Sequence, residues 1–202
     1  MMEKRRYQLK NTGGTILQSL FHSPFQTIHN WQKNRLTWVI MLATTLFLEG
    51  CALFFQYVME LEPCEMCVYQ RLAVVLLSVT SLWMLIAPSN PFIRLTGYGL
   101  WIASGLYGLK TAMVQTGAYD TFGTPAQSCN FLPTFPFEVP LHDWLPGWFM
   151  PTGFCGADEW AFLGMNMAEW MVIVFAVYLV AAAVCVVSSL WCGISTVKNS
   201  KN

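Results

Sequence analysis

The stretch that decides the fold runs from Leu36 to Val58 and reads LTWVIMLATTLFLEGCALFFQYV. It holds one charged residue, Glu49. As a helix it would reach ~34 Å at 1.5 Å per residue, enough to cross a bilayer core of about 30 Å. A helix buried in a soluble bundle shows a polar stripe at 3.6-residue spacing, and this stretch has almost none. Three further apolar runs follow: Leu72–Ala87, which reaches spanning length when extended back through Val68, then Leu95–Val114 and Trp170–Trp191. The chain is 55% hydrophobic and 11% charged, with nine tryptophans. A soluble domain carries about a quarter charged residues. The expected fold is therefore an all-α integral membrane protein, a bundle of four transmembrane helices at 36–58, 68–87, 95–114 and 170–191. Residues 1–35 form an N-terminal segment with a candidate interfacial helix, and 192–202 form a tail. The formal net charge of zero gives no electrostatic argument for a nucleic-acid partner.

Charge sets the expected orientation. Lys4, Arg5, Arg6, Lys10, Lys33 and Arg35 precede the first span, Arg94 lies between the second and third, and Lys198 and Lys201 follow the fourth. The long segment 115–169 has no Lys or Arg and carries Asp120, Glu138, Asp143, Asp158, Glu159 and Glu169. The loop 59–67 carries Glu60, Glu62 and Glu65. Basic residues mark the cytoplasmic side, so both termini are expected inside and both acidic loops outside; in a bacterium, outside means the periplasm.

Seven cysteines distribute over this topology. Cys64 and Cys67 form a C-x-x-C in the first outer loop, and Cys129 and Cys155 lie in the second. Thiols in an oxidising compartment form lasting disulfides. A C-x-x-C closes a very small ring, so it suits redox exchange better than stapling. Cys64 stands where the second helix begins, and a helix N-terminus lowers a thiol's pKa. Arg71 lies one turn beyond Cys67 and favours a thiolate, while Glu62 and Glu65 oppose it. Arg71 is also the only basic residue at the outer face, where a boundary arginine often merely snorkels. A zinc site would call for a second close cysteine pair, which the sequence lacks, and the histidines are scattered, so no metal is expected. Cys129 and Cys155 read either as a structural staple of the long loop or as a pair that exchanges with the C-x-x-C. A relay needs a terminal acceptor, and a lipid-soluble quinone is the economical one. Cys51, Cys185 and Cys192 read as packing residues.

Glu49 is an ionisable group inside a span and so a functional candidate. It lies ~20 Å along its helix from Leu36, and Lys110 lies ~22 Å along from Leu95. Their similar depth predicts a pair or a shared proton network.

The run P-C-x-x-C-x-Y-x-R at Pro63–Arg71, Glu49 within the first span, Cys129-Asn130-Phe131, and Cys155 before the last span resemble the disulfide bond formation protein B (DsbB) family of bacterial inner membranes. The stretch WQKNRLTW and the loop run from Thr134 to Gly156 look closer to its DsbI branch. The resemblance implies four antiparallel helices and a short interfacial helix in the second periplasmic loop, suited by Trp144, Leu145, Trp148 and Phe149. It implies that a thioredoxin-fold oxidase of the DsbA or DsbL type exchanges with Cys129, that Cys155 is its disulfide mate, and that Cys64 and Cys67 reoxidise the pair and pass electrons to ubiquinone or menaquinone near Cys67 and Arg71. DsbB itself has a histidine near the quinone at the outer end of the third span, where this chain has Gln115 and Thr116. A four-span scaffold with a stapled loop and a vitamin K epoxide reductase-like enzyme are the rival readings; the latter type places its C-x-x-C late in the chain.

Overall fold

The computed structural model describes residues 24–121, 132–156 and 160–199. A short helix α1 (Pro24–Gln32) leads into four long helices: α2 (Arg35–Tyr57), α3 (Glu65–Ile86), α4 (Pro91–Thr121) and α7 (Met167–Asn199). Short links force α2, α3 and α4 to run antiparallel in turn; α3 packs on both α2 and α4, and α4 packs on α7. Thr44 of α2 and Tyr178 of α7 share a 2.7 Å hydrogen bond. Between α4 and α7 lie a 3-10 turn at Pro136–Glu138, two single helical turns α5 (Leu141–Trp144) and α6 (Pro146–Phe149), and a hairpin of β1 (Ala161–Phe162) and β2 (Met165–Asn166).

Among the described residues, three helices are long and apolar enough to cross a membrane: Arg35–Tyr57, Glu65–Ile86 and Met167–Cys192. Their outward faces are apolar, with Leu46, Phe47, Val177 and Val180 all more than half exposed. That surface suits hydrocarbon and would be a liability in water. Helix α4 is long enough to span as well, but its glycines, tyrosines and threonines and Lys110 dilute its apolarity. Those small residues serve packing: a Cβ at Gly108 would stand 2.2 Å from the Phe175 ring, so only glycine lets α4 and α7 approach this closely. The shared core holds Trp38, Leu77, Met84, Trp101 and Phe175.

The helix limits differ from the apolar runs for local reasons. Helix α3 begins at Glu65 because Cys64 caps it, its sulfur accepting the Cys67 amide. Helix α4 continues past Val114 to Thr121, so Gln115 is a helical residue and not a loop residue. Helix α7 starts at a reciprocal cap: Asn166 Oδ1 accepts the Glu169 amide, and Glu169 Oε2 accepts the Asn166 amide, the capping-box arrangement. The hairpin, unexpected in an all-α reading, turns through Leu163 and Gly164, both at positive φ, as a two-residue turn requires.

At the end of the bundle where α1 sits, Gln32 is buried and ties three elements together. Its Oε1 accepts from Arg94, Tyr98 and Ser189, its Nε2 donates to the Cys185 carbonyl, and its own carbonyl accepts from the Trp38 indole.

A candidate dithiol site and its cleft

The opposite end carries the sulfur chemistry. Pro63 breaks the chain before α3, and Cys64 takes the extended cap position. The Cys64 and Cys67 sulfurs lie 2.7 Å apart, inside van der Waals contact and beyond the ~2.05 Å of a bond. The Cys64 side chain also hydrogen-bonds to Cys155. Both Cys64 and Cys155 are almost wholly buried. Hydrogen bonding to Cys155, then to Cys67, and then burial push the Cys64 thiol well above the usual cysteine range. The depression expected from the helix N-terminus is therefore outweighed at Cys64.

Cys155 reaches this position through a clamp. The amides of Thr152 and Gly153 both donate to the Pro63 carbonyl, at 2.9 and 3.1 Å. A Cβ on Gly153 would lie 2.6 Å from the Glu62 carbonyl oxygen, so the close approach demands glycine. The segment between α4 and α7 is thus bonded to the residue immediately before Cys64. Cys129 lies outside the described residues.

Beneath the sulfurs, Arg71 is 7% exposed and does not snorkel. Its Nη1 donates to Gln56 Oε1 at 2.5 Å and to the Trp148 carbonyl at 3.3 Å, and its Nη2 donates to the Ala52 carbonyl at 3.2 Å. The guanidinium therefore bridges α3, α2 and α6. Gln56 and Tyr57 also donate to the Gly147 carbonyl, fastening α6 over the site. Arg71 Nε and both carboxylate oxygens of Glu49 are buried without a hydrogen-bond partner. The expected Glu49–Lys110 pair does not form: Lys110 is exposed, because α4 turns it to the outer surface of the bundle while Glu49 faces inward from α2.

These groups line one cleft, partly open to the surroundings. Its wall includes Glu49, Cys51, Gln56, Cys64, Cys67, Arg71 and Gln115, with apolar surface from Leu48, Phe55, Val74, Trp160, Trp170 and Met171. An apolar lining with a few polar groups set into it is the make-up of a small-molecule site.

Sequence reading missed several contributors. Gln115 is fully buried; its Nε2 donates to Cys67 Sγ at 3.2 Å and its Oε1 accepts from Gln70 at 2.6 Å. An N–H aimed at that sulfur suits a thiolate. Gln70 therefore serves Gln115 and not Arg71. Tyr69 donates to Glu65 and accepts the Thr134 amide, both at 2.9 Å, holding the segment after residue 131 against α3. Cys51 stands in the cleft wall and not in the packing core. A polar side chain on a membrane helix was the available signal for Gln56, Gln70 and Gln115, which a search for charges and thiols passes over.

The expected interfacial helix is two separate turns, α5 and α6, because Pro146 interrupts the run. Phe149 anchors it, packing with Val68, Tyr69 and Phe135, while Trp144 and Leu145 stay more than half exposed.

Residues 34–185 match the family described as disulfide bond formation protein DsbB. Proteins named disulfide bond formation protein B are similar over most of their length. One from Shewanella loihica is 42% identical over 158 residues, covering 78% of this chain and 92% of that protein. One from Shewanella amazonensis is 44% identical over 156 residues, covering 77% and 92%. One from Vibrio vulnificus is 39% identical over 167 residues, covering 83% and 96%.

Proposed function

Since the chain belongs to the DsbB family of disulfide bond formation proteins, we propose that it is a bacterial inner-membrane thiol:quinone oxidoreductase that reoxidises a periplasmic thioredoxin-fold oxidase of the DsbA or DsbL type. All four long helices cross the membrane, both termini face the cytoplasm, and the cysteine end faces the periplasm, as the distribution of basic residues requires. The observation that carries this reading is the position of Cys64, in side-chain contact with both Cys67 and Cys155. One sulfur placed between two partners is what disulfide exchange needs.

The reduced partner attacks Cys129 of a Cys129–Cys155 disulfide, which frees Cys155. Cys155 attacks Cys64 of a Cys64–Cys67 disulfide, and Cys67 leaves as the thiolate. The asymmetry of the site favours that direction. Cys64 is buried among sulfurs and disfavours charge, whereas Cys67 receives the Gln115 N–H, and a stabilised thiolate leaves faster. The partner's second thiol then displaces Cys129 from the mixed disulfide, releasing the oxidised partner, and the freed Cys129 attacks Cys155, which restores the Cys129–Cys155 disulfide and leaves Cys64 and Cys67 as the reduced pair. A bound ubiquinone or menaquinone supplies the two-electron, two-proton acceptor. The cleft fits such a group: its walls are largely apolar, and Arg71 Nε and Glu49 keep polar atoms unpartnered within it. Arg71 and Gln115 orient and hold negative charge there, and α6 with the 150–156 clamp limits water.

The test uses the full chain in lipid with a reduced thioredoxin-fold partner. Partner thiols should be lost catalytically only when quinone is supplied, and Cys64→Ala or Cys67→Ala should stop it. Turnover at the normal rate in either variant, or turnover independent of quinone, contradicts the reading.

A further inference from the structure

We propose that Glu49 delivers a proton to the acceptor bound in the cleft, an inference that rests on the quinone reading above. Glu49 is 6% exposed, lines the same cleft as Cys67 and Arg71, and neither of its oxygens has a hydrogen-bond partner. A buried carboxyl group with no donor is costly, and no side chain around Glu49 hydrogen-bonds to it, although Arg71 Nε is left over in the same cleft. Arg71 is engaged with Gln56 and Ala52, and Gln115 with Cys67 and Gln70. Glu49 therefore does no stapling that its burial would require.

Order along the helices gives it a place. Cys67, Arg71 and Val74 line the cleft at successive turns of α3, and Gln56, Ala52 and Glu49 do so along antiparallel α2. Arg71 reaches across to Gln56 and to the Ala52 carbonyl, so Glu49 lies about one turn deeper. The sulfurs stand at the mouth, the guanidinium midway and the acid at the inner end. The other titratable groups facing the cleft are Cys64, Cys67 and Arg71 from α3, Glu62 from the α2–α3 link, and Cys51 on α2 itself. Helix α4 contributes Gln115 and α7 contributes Trp170, Met171 and Val174, none of which titrates. Glu49 is the one carboxyl group at the inner end.

The step balances. When Cys64 and Cys67 join, one S–S bond forms, and two electrons and two protons leave the thiols. A para-quinone takes up both electrons and two protons. One of these protons comes from Glu49, and the carboxylate left behind recovers a proton from the two released at the mouth.

The experiment uses the full chain in lipid nanodiscs loaded with ubiquinone. Single-turnover quinone reduction is followed across a pH series through neutrality. Wild type should show a weak pH dependence. Glu49→Gln should slow the step on the order of 10²-fold, and the residual rate should fall about tenfold per pH unit as bulk protons become the source. Glu49→Asp should restore most of the rate. Bound quinone per protein and thiol exchange with the partner should stay unchanged in Glu49→Gln. The oxidised-minus-reduced infrared difference spectrum should lose a carboxyl band. A Glu49→Gln protein with the wild-type rate and pH profile overturns the proposal. So does one that loses quinone binding in proportion to rate, because that marks a packing role. A wild-type protein that neither binds nor reduces quinone overturns the quinone reading, and this inference with it.

Discussion

Each end of the bundle sets an arginine beside a glutamine, and the two pairs are built differently. At the α1 end, the half-buried Arg94 donates to Gln32, Tyr98 and Ser189, and its guanidinium lies 5.8 Å from the Tyr98 ring centre. Gln32 spends both ends of its amide on neighbouring elements. At the cysteine end, Arg71 donates to Gln56 and two carbonyls but faces an open cleft, with sulfurs above and an unpartnered carboxyl group below. Each arginine keeps a buried Nε without a hydrogen-bond partner, so unpartnered atoms alone do not tell the two ends apart. What separates them is the surroundings: Arg94 and Gln32 bond to one another and to α7 as a staple, whereas Arg71 and the unpartnered Glu49 line an open cleft beside the sulfurs.

The contrast can be broken or sharpened by substitution. The largest effect is expected at Cys64 or Cys67, where alanine should reduce partner-thiol oxidation to background in a turnover assay. Next, Arg71→Met should slow quinone reduction by roughly 10²-fold while partner exchange with Cys129 and Cys155 continues. Arg71→Lys should recover only part, since an ammonium cannot fork between Gln56 and the Ala52 carbonyl. Equal loss in both half-reactions would make Arg71 a second staple. Gly153→Ala should cost about 1–3 kcal/mol of local strain and slow the exchange step several-fold as Cys155 is displaced. An unchanged exchange rate would show that the Pro63 clamp does not position that sulfur. The smallest effect on chemistry is expected from Gln32→Leu. It should lower stability by about 1–3 kcal/mol, read as an earlier thermal transition in detergent, with turnover per folded molecule unchanged. A drop in turnover without a drop in stability would erase the distinction between the ends.

The sequence made the long helices and the dithiol legible because both are local signals. Apolar runs fix helices wherever lipid is the solvent, and a C-x-x-C is visible in four letters. What it hid was the side-to-side geometry. Glu49 and Lys110 share a depth, but depth along an axis does not say which way a side chain faces, and α4 turns Lys110 outward. Gln115 was marked only as standing where a histidine occurs in DsbB itself. Its bond to Cys67 became visible once α4 extended about two turns beyond its apolar run. The clamp from Thr152 and Gly153 to Pro63 joins residues about ninety positions apart through backbone atoms, which no side-chain pattern records.

The central claim is that Cys64 is the sulfur shared between the two cysteine pairs. Non-reducing digestion and mass spectrometry of a Cys67→Ala, Cys129→Ala protein, oxidised in the membrane, test it directly. The account predicts a Cys64–Cys155 disulfide as the main linkage, formed without movement of either segment. Recovery of Cys64 and Cys155 as unlinked thiols would contradict it.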